Sequence, residues 1–295
     1  MGGQAEIVTS VWEWRQAEFA RVEHATYTPL HAYQSISVSF FARCRMRAQH
    51  QLLHGRGRVR QRYALFPLEG YPCSRLPHWP GVEARVLASP ALGAEFVECL
   101  LDPRAGQGGS AQADGRVETF LYVVAGGIDL TIDGKRHPLA AGGYALVPPT
   151  ASYAAKATSD SRLILLKKAY EPLAGVAAPG VLFGSAADVP ATVYLGDDGA
   201  LLQTLIPDEL PYDLAMNIFT FAPGHSLPVV ETHVMEHGLW FLQGKGLYYL
   251  DDTWMEVEQD DFIWMGPYVP QSFYATGPVA SKYLYYKNVN RDIPV

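Results

Sequence analysis

The sequence contains little cysteine and no long apolar run. Its 295 residues include only three cysteines, which are widely spaced and form no Cys-x-x-Cys pair. That argues against a disulfide framework and against a zinc site built from thiolates, and it is typical of a protein from the reducing cytoplasm. No apolar run reaches the ~18 residues that a membrane-spanning helix needs, so no membrane partner is expected.

Basic charge is also scarce outside one segment. The net charge of −7 is spread along the chain without a basic face, which makes nucleic acid an unexpected partner. The exception is a stretch from Arg43 to Arg62 that holds seven arginines, and no acidic residue occurs between Glu23 and Glu69. Such a stretch would suit an organelle-targeting peptide, but the first thirty residues carry four glutamates, which argues against one. We therefore interpret residues 1–62 as an extension that is poorly ordered or atypical.

Long helical periodicity is absent from the sequence as well. From about residue 63 onward, apolar runs of four to eight residues alternate with turn residues, as in "VETFLYVVAGG", "IDLTIDGKRHPL" and "GLYYLDDTWMEV". Runs rich in Val, Tyr, Phe, Trp and Leu that are bounded by Asp-Gly or Asp-Asp are typical of strands and hairpins. The sequence predicts an all-β protein.

The strand pattern occurs twice. Residues 126–149 align with residues 244–267 without a gap, at a constant offset of 118, and Glu118 then falls on Glu236. This period is too long for a solenoid and suits a duplicated small β-barrel domain. We predict two tandem barrels, an N-terminal one over residues 63–172 and a C-terminal one over residues 173–295.

The most informative stretch is "ETHVMEH". Glu231, His233 and His237 all have odd numbers, so an extended chain places them on one face. Isolated histidines near aromatic residues are more often core or surface residues than ligands. An unpaired carboxylate facing a barrel interior would, however, cost several kcal/mol. Two imidazoles and a carboxylate are ligands that divalent first-row metals accept, with a fourth donor expected from another strand.

The spacing around these residues resembles the first cupin motif. The pattern G-x6-E-x-H-x3-H-x6-G begins at Gly224, with Glu231 where the motif usually has its first His and His237 where it usually has Glu. The second motif maps onto "DDFIWMGPYVPQ" and places Gln271 at the position of the fourth ligand. Three other residues of that motif are replaced here, by Asp260, Gly266 and Tyr268.

The unusual Glu/His/His/Gln set, together with "FAPGHSLPVVETHVMEHG", "DDFIWMGPYVPQSFYA" and "YLYYKNVNRD", resembles the (S)-ureidoglycine aminohydrolase family of bicupins over about residues 63–295. The resemblance implies two jelly-roll cupin barrels, a homo-oligomer, and hydrolysis of (S)-ureidoglycine to (S)-ureidoglycolate and ammonia in allantoin degradation. It implies a Mn(II) cofactor held by Glu231, His233, His237 and Gln271. It also implies substrate contacts from Glu231, Gln271, Tyr283 and Lys287.

The N-terminal half lacks such a set. At the same offset of 118, the four ligand positions are occupied by Ala113, Gly115, Thr119 and Tyr153. None is a good metal ligand, so we expect the first barrel to hold no metal site and to serve a structural role.

The last predicted strand adds a cation to the C-terminal half. Tyr283, Tyr285 and Lys287 share one strand face. Spacing alone leaves Lys287 either as an anchor for a substrate carboxylate or urea oxygen, or as an edge-strand lysine; the family resemblance favours the anchor. We expect Tyr285 to pack. Both Glu231 and Lys287 are candidates for the proton transfer.

Two alternative functions stay open at this point. One is another manganese cupin enzyme, such as an oxalate decarboxylase or a dioxygenase, although those typically present His/His/Glu/His. The other is a non-catalytic cupin that binds a small molecule with the help of a metal.

Overall fold

The computed structural model describes residues 55–292 of the chain. Most of the predicted N-terminal extension, residues 1–54, and the last three residues lie outside this range. The described part is built of strands and includes two 3-10 helices, Leu68–Gly70 and Ala186–Asp188. The prediction of an all-β protein is confirmed.

The strands fall into two successive sets. The described part of the chain begins with β1 (Arg58–Val59) and β2 (Tyr63–Phe66). The first set is β3 (Glu83–Ala88), β4 (Phe96–Asp102), β5 (Gly108–Ala111), β6 (Val117–Ala125), β7 (Gly127–Ile132), β8 (Lys135–Ala140), β9 (Gly143–Val147), β10 (Tyr153–Ala157), β11 (Arg162–Ala169) and β12 (Leu182–Ser185). The second set is β13 (Thr192–Tyr194), β14 (Asp197–Thr204), β15 (Leu214–Phe221), β16 (His237–Gln243), β17 (Lys245–Leu250), β18 (Thr253–Glu258), β19 (Phe262–Met265), β20 (Gln271–Ala275) and β21 (Ser281–Asn288).

The second set repeats the first at the predicted offset. Strands β7, β8 and β10 recur 118 residues later as β17, β18 and β20, with identical lengths. The register is repeated too, since Ile132 pairs with Tyr153 in the first half and Leu250 pairs with Gln271 in the second. Gly126 and Gly244 both adopt a φ of 79°. The chain is therefore a tandem duplication of one β unit.

Each half consists of one large and one small antiparallel sheet. In the N-terminal half the orders are β12-β9-β6-β11-β4-β3 and β5-β10-β7-β8; in the C-terminal half they are β1-β2-β19-β16-β21-β15-β14-β13 and β18-β17-β20. Within the described residues, hydrogen bonds do not join the two sheets of a half into a closed cylinder. Each predicted barrel is thus an open jelly-roll sandwich.

The halves exchange strands. Residues Tyr63–Phe66, which the sequence places in the N-terminal barrel, pair with β19 of the C-terminal sheet. Residues Leu182–Ser185, placed in the C-terminal barrel, pair with β9 of the N-terminal sheet. The strand pairing therefore crosses the predicted boundary at residue 172 in both directions.

Part of the predicted extension belongs to the C-terminal sheet. Residues 58 and 59 pair with β2, and the Arg56 guanidinium donates to both carboxylate oxygens of the buried Asp261, at 2.5 and 2.9 Å. Together with the backbone N–H of Glu258, which donates to Oδ2 of Asp261 at 2.8 Å, this ion pair satisfies the buried carboxylate. Residues 55–62 thus help to form the sheet that carries the candidate site.

Three apolar clusters hold this arrangement together. One fills the space between the two large sheets and includes Phe96 and Tyr122 from the first half and Trp240 and Tyr286 from the second. The others fill the sandwich of each half. Alternation along a strand decides which cluster a residue joins. Even-numbered Trp240 faces the other half, whereas odd-numbered Phe241 faces its own sandwich. No helix among residues 55–292 is long and apolar enough to cross a membrane.

Candidate active site and metal centre

A cavity of about 120 Å³ lies inside the C-terminal sandwich. Its walls come from strands β13 to β17, β20 and β21 and from the loop before β16. The lining residues are Tyr194, Leu202, Phe219, Glu231, His233, His237, Leu239, Tyr248, Gln271, Tyr283, Tyr285 and Lys287. Every predicted site residue therefore faces the same cavity.

Three of the predicted metal ligands meet at one point. The Nε2 atoms of His233 and His237 are 3.1 Å apart, and the Gln271 amide nitrogen lies 3.1 Å from each of them. His237 opens β16 and Gln271 opens β20, so both are fixed at strand ends. The backbone N–H of Tyr268 donates to the His233 carbonyl oxygen at 2.8 Å and so holds the loop that carries His233.

Hydrogen bonding fixes which nitrogen of His237 faces the cavity. Its Nδ1 lies 3.1 Å from the carbonyl oxygen of Tyr286, which can only accept, so Nδ1 carries the proton. Nε2 then presents a lone pair to the cavity. Burial, followed by the proximity of His233 and Lys287, lowers the pKa of His237 well below its ordinary value. Burial also lowers the pKa of His233, although Glu231 opposes the effect. Both shifts favour the neutral imidazole, which is the form that binds a metal.

A hydrogen bond from Tyr248 orients the side-chain amide of Gln271. The Tyr248 hydroxyl donates to its Oε1 at 2.8 Å, so the amide nitrogen points to the two imidazoles. A half-turn about the last side-chain bond exchanges these atoms, because the amide can also donate to the Tyr248 oxygen. That second orientation presents Oε1 to the histidines and makes Gln271 a neutral oxygen ligand.

The triangle of donors fits a divalent ion. In an octahedral complex with bonds of ~2.1 Å, neighbouring donors are about 3.0 Å apart, close to the spacing found here. Within residues 55–292, no three His, Cys, Asp or Glu side chains are spaced to hold a metal ion. The triangle described here differs from such a group because its third donor is the Gln271 amide. His233, His237 and Gln271 would hold the ion.

Glu231 faces the cavity but lies outside this triangle. Its backbone is pinned to Gln271 by two hydrogen bonds, N–H to Gln271 O at 2.8 Å and the reverse at 2.9 Å. Its carboxylate Oε1 accepts a hydrogen bond from the Tyr194 hydroxyl at 2.5 Å. The role of Glu231 as a metal ligand stays a prediction.

Strand β21 contributes the remaining predicted residues. Lys287 lies opposite His237 across the β16–β21 pair and forms no hydrogen bond or ion pair with the described residues. The Tyr283 hydroxyl interacts with that of Tyr248. Tyr285, which we expected only to pack, also lines the cavity, and its hydroxyl accepts from Asn217 Nδ2 at 3.2 Å. Lys287 is thus a cation whose charge is available to a ligand.

Two polar residues of the cavity were missed from the sequence. Tyr248 lies on β17, where strand alternation could have placed it on the inner face with Leu250. Tyr194 ends the short strand β13, far from both motifs, and no sequence signal points to it. Both donate to residues that the motifs did predict.

The four corresponding positions of the N-terminal half differ in burial. Thr119 and Tyr153 are buried, and Ala113 and Gly115 are exposed. The interior of this half is an apolar cluster that includes Trp79 and Tyr153. Ala113 and Gly115 have no donor side chain and Thr119 and Tyr153 offer only hydroxyl groups, and the absence of a metal from this half stays a prediction.

The duplicated jelly-roll fold, with histidines and an amide gathered inside one sandwich, defines a protein of the cupin class. The family model described as "Cupin domain" matches residues 99–167.

The chain is 37% identical to the (S)-ureidoglycine aminohydrolase of Escherichia coli (strain K12), covering 79% of this chain and 90% of that protein. It is 33% identical to the (S)-ureidoglycine aminohydrolase of Arabidopsis thaliana, covering 78% and 76%. The crystal structure of the E. coli protein Ylba superposes with a TM-score of 0.73 at 34% identity, covering 84% of this chain and 99% of that one. The chain belongs to the (S)-ureidoglycine aminohydrolase family, which is a family of enzymes.

Proposed function

We propose that this protein hydrolyses (S)-2-ureidoglycine to (S)-ureidoglycolate and ammonia, in a manganese-dependent step of allantoin degradation. The observation that carries the proposal is the combination, in one cavity, of two imidazoles and an amide, whose nitrogens lie 3.1 Å apart, with the Lys287 ammonium, which has no partner among residues 55–292. Membership of the family supports the reaction. The cavity of about 120 Å³ suits a substrate of this small size.

The donor set supports manganese. Two imidazoles with oxygen donors from Gln271 and Glu231, and no thiolate, form a fairly hard set that suits Mn(II). A bound divalent ion supplies Lewis-acid polarisation of the substrate and a fixed point for its orientation.

The charged and hydroxyl groups of the chain divide the remaining tasks. The Lys287 ammonium binds the substrate carboxylate, and the Tyr283 hydroxyl orients the ureido group. Glu231 accepts the proton of the attacking water and returns it to the amine that leaves, so that the C–N bond breaks as the C–O bond forms and ammonia departs neutral. The aromatic walls around Phe219 and Tyr285 keep bulk water from the site.

The test is ammonia release from freshly prepared (S)-ureidoglycine by the Mn(II)-loaded protein. Lys287→Met should lower kcat/KM by at least about 30-fold, because the substrate carboxylate loses its ion-pair partner. Lys167→Met is the matched control: Lys167 pairs with Thr119 in the N-terminal half as Lys287 pairs with His237 here. Its rate should equal that of the parent protein.

Two results would contradict the proposal. Equal loss in both lysine variants would remove the substrate role of Lys287. No ammonia from a folded, Mn(II)-loaded protein would exclude this reaction and leave oxalate decarboxylation, dioxygenation or simple binding to be assayed next. Homo-oligomer formation and a cytoplasmic location stay predictions from the sequence.

A further inference from the structure

The hydroxyl of Tyr194 is the only hydrogen-bond partner that the described residues offer to the Glu231 carboxylate. It reaches the cavity from β13, an element that carries neither cupin motif. We infer that Tyr194 is a positioning residue for Glu231, which it holds by one carboxylate oxygen so that the other serves the metal. This inference rests on the proposed function of the site.

The frame that holds Tyr194 is independent of the loop that carries Glu231. The Tyr194 ring meets Phe219 edge-on, with centroids 4.8 Å apart and planes at 85°. Phe219 in turn stacks on Tyr285 at 5.5 Å and 10°. Strand β13 pairs with β14, and β14 with β15, so the hydroxyl is directed by a continuous sheet and an aromatic stack.

Glu231 needs such a support because its own backbone does not fix its carboxylate. The residue lies in the irregular segment between β15 and β16, pinned at the backbone to Gln271 alone among the described strands. Three side-chain torsions separate that backbone from the carboxylate. A hydroxyl-to-carboxylate hydrogen bond of 2.5 Å is of the strong, charge-assisted kind.

The consequence is chemical as well as geometric. With Oε1 occupied by Tyr194, the carboxylate offers a single oxygen to the cavity, which favours one-point ligation over chelation. Residues that orient metal ligands in this way typically change metal affinity or activity by about 10- to 100-fold when removed.

The experiment measures Mn(II) affinity by titration calorimetry on the full-length protein. Tyr194→Phe removes one hydroxyl and keeps the ring that packs on Phe219. We expect Mn(II) binding about 10- to 100-fold weaker. In a Glu231→Gln background the same substitution should change affinity by less than about threefold, since residues that act through one contact are not additive. Tyr170→Phe, which removes a hydroxyl bonded to the Pro211 carbonyl outside the cavity, should bind Mn(II) like the parent.

Unchanged affinity in Tyr194→Phe, or an equal loss in the Glu231→Gln background, would overturn the inference. If the parent protein binds no Mn(II), the proposal of a metal site is wrong, and this result does not yet decide the role of Tyr194. The positioning role is then judged in EDTA by a double-mutant cycle of Tyr194→Phe and Glu231→Gln on the urea midpoint. Coupling between the two substitutions supports the contact, and additive effects overturn it.

Discussion

Glu98 offers the sharpest test of how the two halves pack. It lies on β4, is 1% exposed, and its Oε2 has no hydrogen-bond partner among the described residues. A Cβ placed on Gly238, next to His237 in β16, would lie 2.6 Å from that oxygen. The carboxyl group therefore sits against the backbone of the strand that carries the site, in the apolar layer between the large sheets.

Burial raises the pKa of Glu98 from 4.5 to about 8. Because the folded state binds the proton more tightly than the unfolded state, the protein loses stability as pH rises from 4.5, and the loss is complete above about pH 8. Each pKa unit is worth about 1.4 kcal/mol, so the full effect is at most about 5 kcal/mol. Structural relaxation and water entry reduce it, and we expect about 2 to 4 kcal/mol.

Glu98→Gln replaces the carboxyl group with a neutral group of the same shape. The free energy of unfolding, measured by urea titration at pH 5 to 9, should fall less steeply with pH in the variant than in the parent. The difference between the two should reach about 2 to 4 kcal/mol above pH 8. Glu256→Gln, on the exposed side of β18, controls for removal of a charge. Parallel profiles for the parent and Glu98→Gln would refute the burial argument.

Three further outcomes are expected. Gly244→Ala should lower the urea midpoint by the equivalent of about 2 kcal/mol or more, because φ is 79° and a Cβ would lie 2.7 Å from the neighbouring backbone; an unchanged midpoint would contradict this. Arg56→Ala should lower the free energy of unfolding by about 3 kcal/mol in the same assay, since it leaves the buried Asp261 without its ion-pair partner. A loss below 1 kcal/mol would contradict the role given to residues 55–62. Tyr248→Phe should weaken Mn(II) binding about 10-fold in calorimetry by releasing the Gln271 amide; equal affinity would show that the amide needs no such support.

Local sequence patterns predicted most of the candidate site because its main residues lie in two short stretches. His233 and His237 are four residues apart, and Gln271 begins a strand whose register repeats that of the first half. Tyr194 and Tyr248 escaped prediction because each acts on a residue far from it in sequence. Strand alternation could place Tyr248 on the inner face without identifying its partner, and Tyr194 leaves no spacing signal.

The sequence by itself determined the strand content, the duplication, and the half that carries the candidate ligands, since alternation, turn residues and donor chemistry are local properties. The tertiary structure alone decided the exchange of β2 and β12 between the halves, because a short strand does not encode which edge it will join. It also decided that Glu231 turns to Tyr194 while the imidazoles and the amide converge. The residue type thus gives the chemistry of each side chain, whereas the packing of strands that are distant in sequence decides which group that side chain contacts.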